Sequence, residues 1–103
     1  MDAKTLKALK ASIEKWERNA VAETPDGYLT GSDDCPLCAL FYAKSCVGCP
    51  VREKTRLSLC DGSPYRKAYG AWEEWEDGGP IEAAHTAARE EVAFLKSLLP
   101  EGA

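Results

Sequence analysis

The chain has 103 residues, the size of one domain, and a formal net charge of -4. Its 45% hydrophobic and 29% charged residues are typical of a folded globular protein, because a disordered chain would have fewer apolar residues and a larger charge imbalance. No apolar stretch approaches the roughly 20 residues of a membrane span, and residues 1–10 lack the continuous apolar segment of a signal peptide, so we expect a cytoplasmic protein.

The first predicted element is an amphipathic helix over residues 1–20, with Asp2 as its N-cap. Apolar side chains recur there at spacings of three and four: Leu6, Leu9, Ile13, Trp16 and Ala20. Residues 21–34 follow, and they are rich in Gly, Pro, Asp, Ser and Thr. This composition predicts a loop, with a turn at Pro25-Asp26-Gly27.

Prolines mark the expected starts of the later helices. Helices are expected to begin at Pro36, Pro50 and Pro64. The first N–H groups of a helix have no partner within it, so a proline there loses no helical hydrogen bond. Asp33 or Asp34 is the expected N-cap of the first of these helices.

Two longer helices complete the predicted fold. Residues 63–77 place an aromatic stripe on one face: Tyr65, Ala68 or Tyr69, Trp72 and Trp75. Residues 80–99 place an aliphatic stripe: Ile81, Ala84, Ala88, Val92, Leu95 and Leu99. We therefore expect one mostly α domain over residues 1–103, in which two longer terminal helices and a middle helix surround a metal-stapled, cysteine-rich centre at 35–62.

The five cysteines carry the chemistry of this sequence: Cys35, Cys38, Cys46, Cys49 and Cys60. Five cannot all form disulfides, and in a reducing compartment two Cys-x-x-Cys units favour metal ligation. Zn²⁺ takes four thiolates in a tetrahedron, and each unit supplies two from one turn. We expect Cys35, Cys38 and Cys49 as ligands, with Cys46 fourth and Cys60 its rival. Gly48 gives the second turn access to positive φ.

Other chemistries use the same residues. An iron–sulfur cluster is the alternative cofactor because it needs the same thiolates, although the compact cysteine run of ferredoxins is missing. His85, on the margin of an apolar stripe, is expected to pack rather than to bind metal. A nucleophilic Cys60 with His85 as its base has no glycine-rich oxyanion element beside it, so we expect no enzymatic activity.

Two charged segments are candidate binding surfaces. Residues 35–70 carry six basic and two acidic side chains, whereas residues 71–103 carry two basic and eight acidic ones. The candidate nucleic-acid contacts are Arg52, Lys54, Arg56, Arg66 and Lys67, which would equally offset the charge of a four-thiolate zinc site. The candidate protein-docking residues are Trp72, Trp75, Glu73, Glu74 and Glu76, which in the simpler interpretation form a solvated helix face.

The sequence resembles a group of small phage and prophage proteins. The shared features are Trp16, Cys35 to Cys38, Cys46 to Pro50, Cys60, Pro64-Tyr65 and the closing Phe94 to Leu99. The resemblance implies a phage-encoded accessory or host-interaction protein in the bacterial cytoplasm, and it favours Cys60 as a ligand. We therefore expect a non-enzymatic structural-zinc module that binds another protein. The alternatives are a nucleic-acid-binding accessory protein and an iron–sulfur or thiol redox protein.

Overall fold

The computed structural model describes residues 1–30, 35–41, 47–56 and 63–100. Within those ranges the chain forms five α-helices and no strand, which confirms the predicted mostly α class. The helices are α1 Ala3–Asn19, α2 Pro36–Phe41, α3 Pro50–Thr55, α4 Tyr65–Glu76 and α5 Ile81–Lys96, and a 3₁₀ turn covers Pro25–Gly27. None of the described helices combines the length and apolarity needed to cross a bilayer.

The helix starts follow the local signals of the sequence. Asp2 caps α1, since its Oδ1 accepts the backbone N–H of Thr5 at 2.7 Å. Hydrogen bonds with the backbone and the side chain of Thr5 lower the pKa of the Asp2 carboxyl. Pro36 and Pro50 are the first residues of α2 and α3, and α4 begins directly after Pro64. The predicted caps of α2, Asp33 or Asp34, lie outside the described residues.

The core lies where α5 packs against both α1 and α4, and α2 packs on the side of α1. From α1, the predicted residues Leu9, Ile13 and Trp16 are buried. From α5, Ala84 and Ala88 are fully buried, and their small side chains let the neighbouring helices approach closely. The apolar face predicted for α1 and the aliphatic stripe predicted for α5 therefore face each other across the core.

Aromatic rings join α4 and the loop to α1. Trp16 meets Tyr28 and Tyr65 edge-on, with ring centroids 5.8 and 6.2 Å apart, and Tyr28 meets Trp75 at 6.1 Å. Such pairs contribute about 0.5–1.5 kcal/mol each beyond the area they bury. Tyr28 is only 2% exposed although it belongs to a polar loop, so the sequence pattern of the helices did not reveal it as a core residue.

The loop after α1 is secured by side chains of three helices. Asn19 binds both backbone groups of Leu29 at 2.9 Å. The loop carbonyls of Ala22, Pro25 and Thr30 accept hydrogen bonds from His85, Trp72 and Tyr65, and the Tyr28 hydroxyl donates to the Ala84 carbonyl at 2.8 Å. Residues 21–30 are therefore a fixed part of the fold, and they lead the chain toward the first cysteine pair.

Candidate metal centre

Cys35 and Cys38 lie at the start of α2, on one tight turn. The Cys35 carbonyl accepts the N–H of Ala39 at 3.0 Å, which closes the first helical turn. Leu37, between the two cysteines, is only 3% exposed and packs into the hydrophobic core. Burial of Leu37 therefore fixes the turn against the core, while both cysteines remain partly exposed.

The surroundings of Cys35 favour its thiolate. The side-chain hydrogen bond from Cys38 is the largest influence, and the backbone amides of Cys38 and Leu37 and the charge of Lys15 act in the same direction. Burial opposes them, and the net result lowers the pKa of the Cys35 thiol to about 6. Near neutral pH Cys35 is thus mainly the charged form that binds a metal ion or attacks an electrophile.

Cys49 lies at the start of another short helix. It is the N-cap of α3 and is 6% exposed, and its carbonyl accepts the N–H of Glu53 at 2.9 Å. Gly48 before it has φ of +90°, so the predicted positive φ is confirmed. A Cβ at Gly48 would also lie 3.2 Å from Cε1 of Phe41. The positive φ therefore favours glycine at this position, and an added Cβ would also require the Phe41 ring to move by a few tenths of an ångström.

The structure describes three of the five predicted ligands. Cys46 and Cys60 lie outside the described residues. Among those that are described, no three or more His, Cys, Asp or Glu side chains are grouped so as to hold a metal ion. Of the predicted ligands, the structure therefore describes the Cys35–Cys38 pair on α2 and Cys49 at the start of α3, without grouping the three as a metal site. The metal centre and its full set of ligands stay a prediction.

Two buried charges lie near Cys35, and the sequence analysis missed both of them. Lys15 of α1 is 7% exposed, and its ammonium lies 5.1 Å from the ring centroid of Trp16. Glu91 of α5 is 3% exposed, and its Oε2 has no hydrogen-bond partner in the part of the chain that the structure describes. Burial and the charge of Cys35 raise the pKa of Glu91 to about 7, against the opposing effect of Lys15.

The positions of Lys15 and Glu91 along their helices could have identified both as buried from the sequence alone. Glu91 follows the buried Ala88 by three residues and precedes the buried Leu95 by four, so it lies on the apolar face of α5. On α1, Lys15 belongs to a second buried row that runs beside the apolar one: Ala8, Ser12, Lys15 and Asn19. A charged residue within such a row is a candidate functional residue.

The predicted nucleic-acid contacts are only partly brought together. Arg52 and Arg56 line one open groove of about 430 Å³, and Lys54 is exposed on the same helix end. Arg66 is exposed on α4. Lys67 is bound to Glu90 of α5, with Nζ 2.7 Å from Oε1.

The predicted docking residues of α4 divide into two sets. Glu73, Glu74 and Glu76 are exposed. Trp72 and Trp75 are partly buried: Trp72 Nε1 donates to the Pro25 carbonyl at 2.9 Å, and Trp75 packs edge-on against Tyr28 and His85. Both tryptophan rings therefore make contacts within the fold, and a role of α4 in partner binding stays a prediction.

His85 packs, as expected. Its Nε2 lies 2.7 Å from the Ala22 carbonyl and donates to it, so this nitrogen is occupied within the fold.

No protein-family model, curated protein or solved structure matches this chain. Its functional interpretation therefore depends on its own residues and their geometry.

Proposed function

We propose that this protein is a non-enzymatic module held by a structural metal–thiolate centre, with zinc as the ion, and that it acts by binding another protein. The observation that supports the centre best is the Cys35–Cys38 turn, where hydrogen bonds stabilise the Cys35 thiolate. A phage or prophage role in the bacterial cytoplasm is part of the same proposal. It comes from the sequence resemblance.

The proposed ligands are Cys35, Cys38 and Cys49, with Cys46 or Cys60 as the fourth. A closed four-thiolate site leaves no open position for a substrate, so bound zinc would contribute folding energy and no catalysis. Structural zinc binds with about 10–16 kcal/mol in small domains. That is as large as the whole stability of a typical domain of this size, about 5–15 kcal/mol.

The metal content of protein purified under reducing conditions tests the centre. We expect one zinc ion per chain and a colourless sample; a brown sample containing iron and sulfide would favour the iron–sulfur alternative. The variants Cys35→Ser and Cys38→Ser should each lose the metal. Comparison of Cys46→Ser with Cys60→Ser identifies the fourth ligand, because only one of the two should lose it. Wild-type protein without bound metal would contradict the proposal.

A protein partner is supported by the charge of the second half of the chain. The exposed carboxylates Glu73, Glu74 and Glu76 lie on one helix, and a basic partner surface would complement them. We expect metal-loaded protein to capture a host or phage protein of basic charge from a bacterial lysate. A triple Gln variant of these glutamates should lose that capture while it retains its metal. Unchanged capture by the variant would place the contact elsewhere.

Nucleic-acid binding is the second candidate function, supported by the groove that Arg52 and Arg56 line together. Phosphate contacts would make retention on DNA or RNA fall as salt rises. An Arg52/Lys54/Arg56 triple Ala variant should then lose retention at low salt, whereas Lys10→Ala on α1 should not. No retention of the wild type at low salt would reject this function.

A thiol redox function is the third candidate, and the low pKa of Cys35 supports it. It requires a cysteine that reacts with an alkylating reagent while the protein is loaded with metal. Failure of all five cysteines to react would exclude it, and rapid modification of Cys35 would favour it over the structural centre.

A further inference from the structure

Two open grooves meet at one end of the molecule. The first, of about 650 Å³, lies between the start of α1, the end of α2, α3 and the residues that follow α5. The second, of about 430 Å³, continues along α3. Gly48 and Glu53 line both, so the two grooves form one continuous surface.

This surface combines exposed apolar side chains with basic ones. Met1 is 56% exposed and lines the first groove, and Val47 is 60% exposed and lines the second. The exposed cations on α1 and α3 define what we name the basic end: Lys4, Lys7, Lys54 and Arg56. They outnumber Asp2 and Glu53, the acidic residues among those that line the two grooves.

The opposite end of the molecule is acidic. The start of α5 lies beside the loop, where His85 binds the Ala22 carbonyl, whereas Leu98 lines the first groove. The last turn of α4 lies beside the start of α5, since the Trp75 and His85 rings are 6.0 Å apart. The exposed carboxylates of these two helices define the acidic end: Glu73, Glu74, Glu76, Asp77 and Glu82. The 16 residues of α5 span roughly 24 Å, so the two ends cannot meet within one copy.

Charges at both ends oppose the dipoles of the helices that carry them. The C-terminus of a helix favours cations and its N-terminus favours anions. Instead, Glu73 and Glu76 lie in the last turn of α4 and Asp77 is its C-cap, while Lys4 lies in the first turn of α1. A partner of opposite charge would compensate these unfavourable positions, and such departures from local rules are typical of functional surfaces.

We propose that the acidic end of one copy docks into the grooves at the basic end of a second copy. The α4 glutamates pair with Lys54 and Arg56 there, and Met1 and Val47 lose their exposure to solvent. The charges of the two ends are complementary, and such complementarity steers association and fixes its register. Because the two contacting surfaces differ, the contact is heterologous. This inference rests on the proposed role of the α4 glutamates in protein binding and names their partner.

The molar mass measured by light scattering under reducing conditions tests the docking. We expect a mass above that of one chain at about 50 mM salt and the mass of one chain at about 0.5 M, where salt screens charges over a few ångströms. The acid-reversed variant is Glu73→Lys/Glu76→Lys, and the base-reversed variant is Lys4→Glu/Lys7→Glu. Each should weaken self-association by more than about tenfold, because like charges then face each other.

An equimolar mixture of the two variants should associate again. In the mixture the new lysines of one variant face the new glutamates of the other, so the complementarity is restored. Failure of the mixture to associate would overturn the inference. Glu14→Lys/Glu17→Lys is the matched control, because it reverses two charges on an exposed face of α1 where Glu17 approaches Lys96 at 3.7 Å. This control should change the affinity of self-association by less than about twofold.

Thermal unfolding separates loss of docking from loss of folding. Reversal of Lys4, Glu73 and Glu76 places charges that suit the helix dipoles, so both variants should be at least as stable as the wild type. A wild type that stays monomeric at about 50 mM salt, or self-association that persists in both variants, would contradict the inference. If the wild type is monomeric but captures a basic protein through the α4 glutamates, this inference alone fails and the proposed function stands.

Discussion

Glu91 makes the stability of this protein depend on pH in an unusual direction. In the unfolded chain a glutamate ionises at its ordinary pKa, about 4.3, whereas in the folded protein the pKa of Glu91 is about 7. Between these values the folded state binds more protons than the unfolded state. The stabilising contribution of neutral Glu91 is therefore complete at acid pH, and it is lost as the pH rises toward about 7.

We expect the free energy of unfolding that depends on Glu91 to fall by about 2 kcal/mol between about pH 4.5 and about pH 6. Urea unfolding of wild type and Glu91→Gln across that range measures it, since the variant should lack this fall. Cys35 contributes with the opposite sign at higher pH, because its lowered pKa stabilises the fold as the pH rises above about 6. Parallel pH profiles for both proteins would contradict the assignment to Glu91.

Tyr28 joins the loop after α1 to the core through both its hydroxyl and its ring. Its buried hydroxyl donates to the Ala84 carbonyl at 2.8 Å, and its ring lies between Trp16 and Trp75. Burial, with the charge of Glu91, raises the pKa of Tyr28, so the hydroxyl keeps its hydrogen.

Tyr28→Phe should lower the free energy of unfolding by about 1 kcal/mol, because the buried hydrogen bond from the Tyr28 hydroxyl to the Ala84 carbonyl is lost. Tyr69→Phe on α4 is the matched control and should change it by less than about 0.5 kcal/mol. Chemical denaturation of the two variants measures the difference. Equal stabilities would show that the hydroxyl of Tyr28 contributes nothing.

These residues also show what the sequence could predict at this scale. Spacing identified Leu9, Ile13 and Trp16 as buried, because apolar residues on one helical face pack together. Tyr28 follows no such periodicity, since its burial depends on tertiary contacts with helices far along the chain. Lys15 and Glu91 were overlooked because charged residues are ordinarily solvated, although their positions on the helices placed them among buried neighbours.

At the scale of elements, α4 has one glycine in its interior and another after its C-terminal end, and we expect substitutions at the two positions to have opposite effects. Gly70 lies inside α4, where an added Cβ would meet no atom within 4 Å. Gly79 follows the helix, and its N–H donates to the Glu74 carbonyl at 2.7 Å. A Cβ at Gly79 would lie 2.7 Å from that same backbone oxygen.

Gly70→Ala should therefore raise the free energy of unfolding by about 0.5–1 kcal/mol, because glycine is costly inside a helix. Gly79→Ala should lower it by about 1–3 kcal/mol, since backbone must shift to admit the methyl group. Thermal or urea unfolding of the pair measures both. Destabilisation by Gly70→Ala would mean that the helix needs glycine there for a contact that the fold does not explain.

The starts of the helices were more predictable from the sequence than the contacts between the helices. Proline fixes φ and removes a donor, so Pro36 and Pro50 mark helix starts whatever surrounds them. The route of the cysteine turns depends on contacts across the chain, such as Leu37 in the core and Phe41 against Gly48. For the same reason the cysteine spacing predicted a metal site without choosing four ligands from five.

At the scale of the whole molecule, we distinguish a framework of three helices from the proposed cysteine centre. The framework is α1, α4 and α5, joined by the aromatic contacts of Trp16 and by the hydrogen bonds of the loop. Among the residues that the structure describes, the framework holds most of the buried ones. The centre contains α2 and α3, helices of six residues each. Helices this short are not stable by themselves, so the centre requires either packing or a metal ion.

Removal of metal should therefore unfold the centre and leave the framework folded. We expect a chelator, or Cys38→Ser, to abolish amide protection in α2 and α3 while α1 and α5 retain theirs, with a partial loss of helical circular dichroism. Hydrogen exchange resolved by peptide measures this, with Gly70→Ala as a control that alters stability and keeps all five cysteines. Loss of protection in every helix would mean that the framework depends on the metal. Unchanged protection and thermal midpoint would mean that core contacts such as Leu37 hold the centre without a metal.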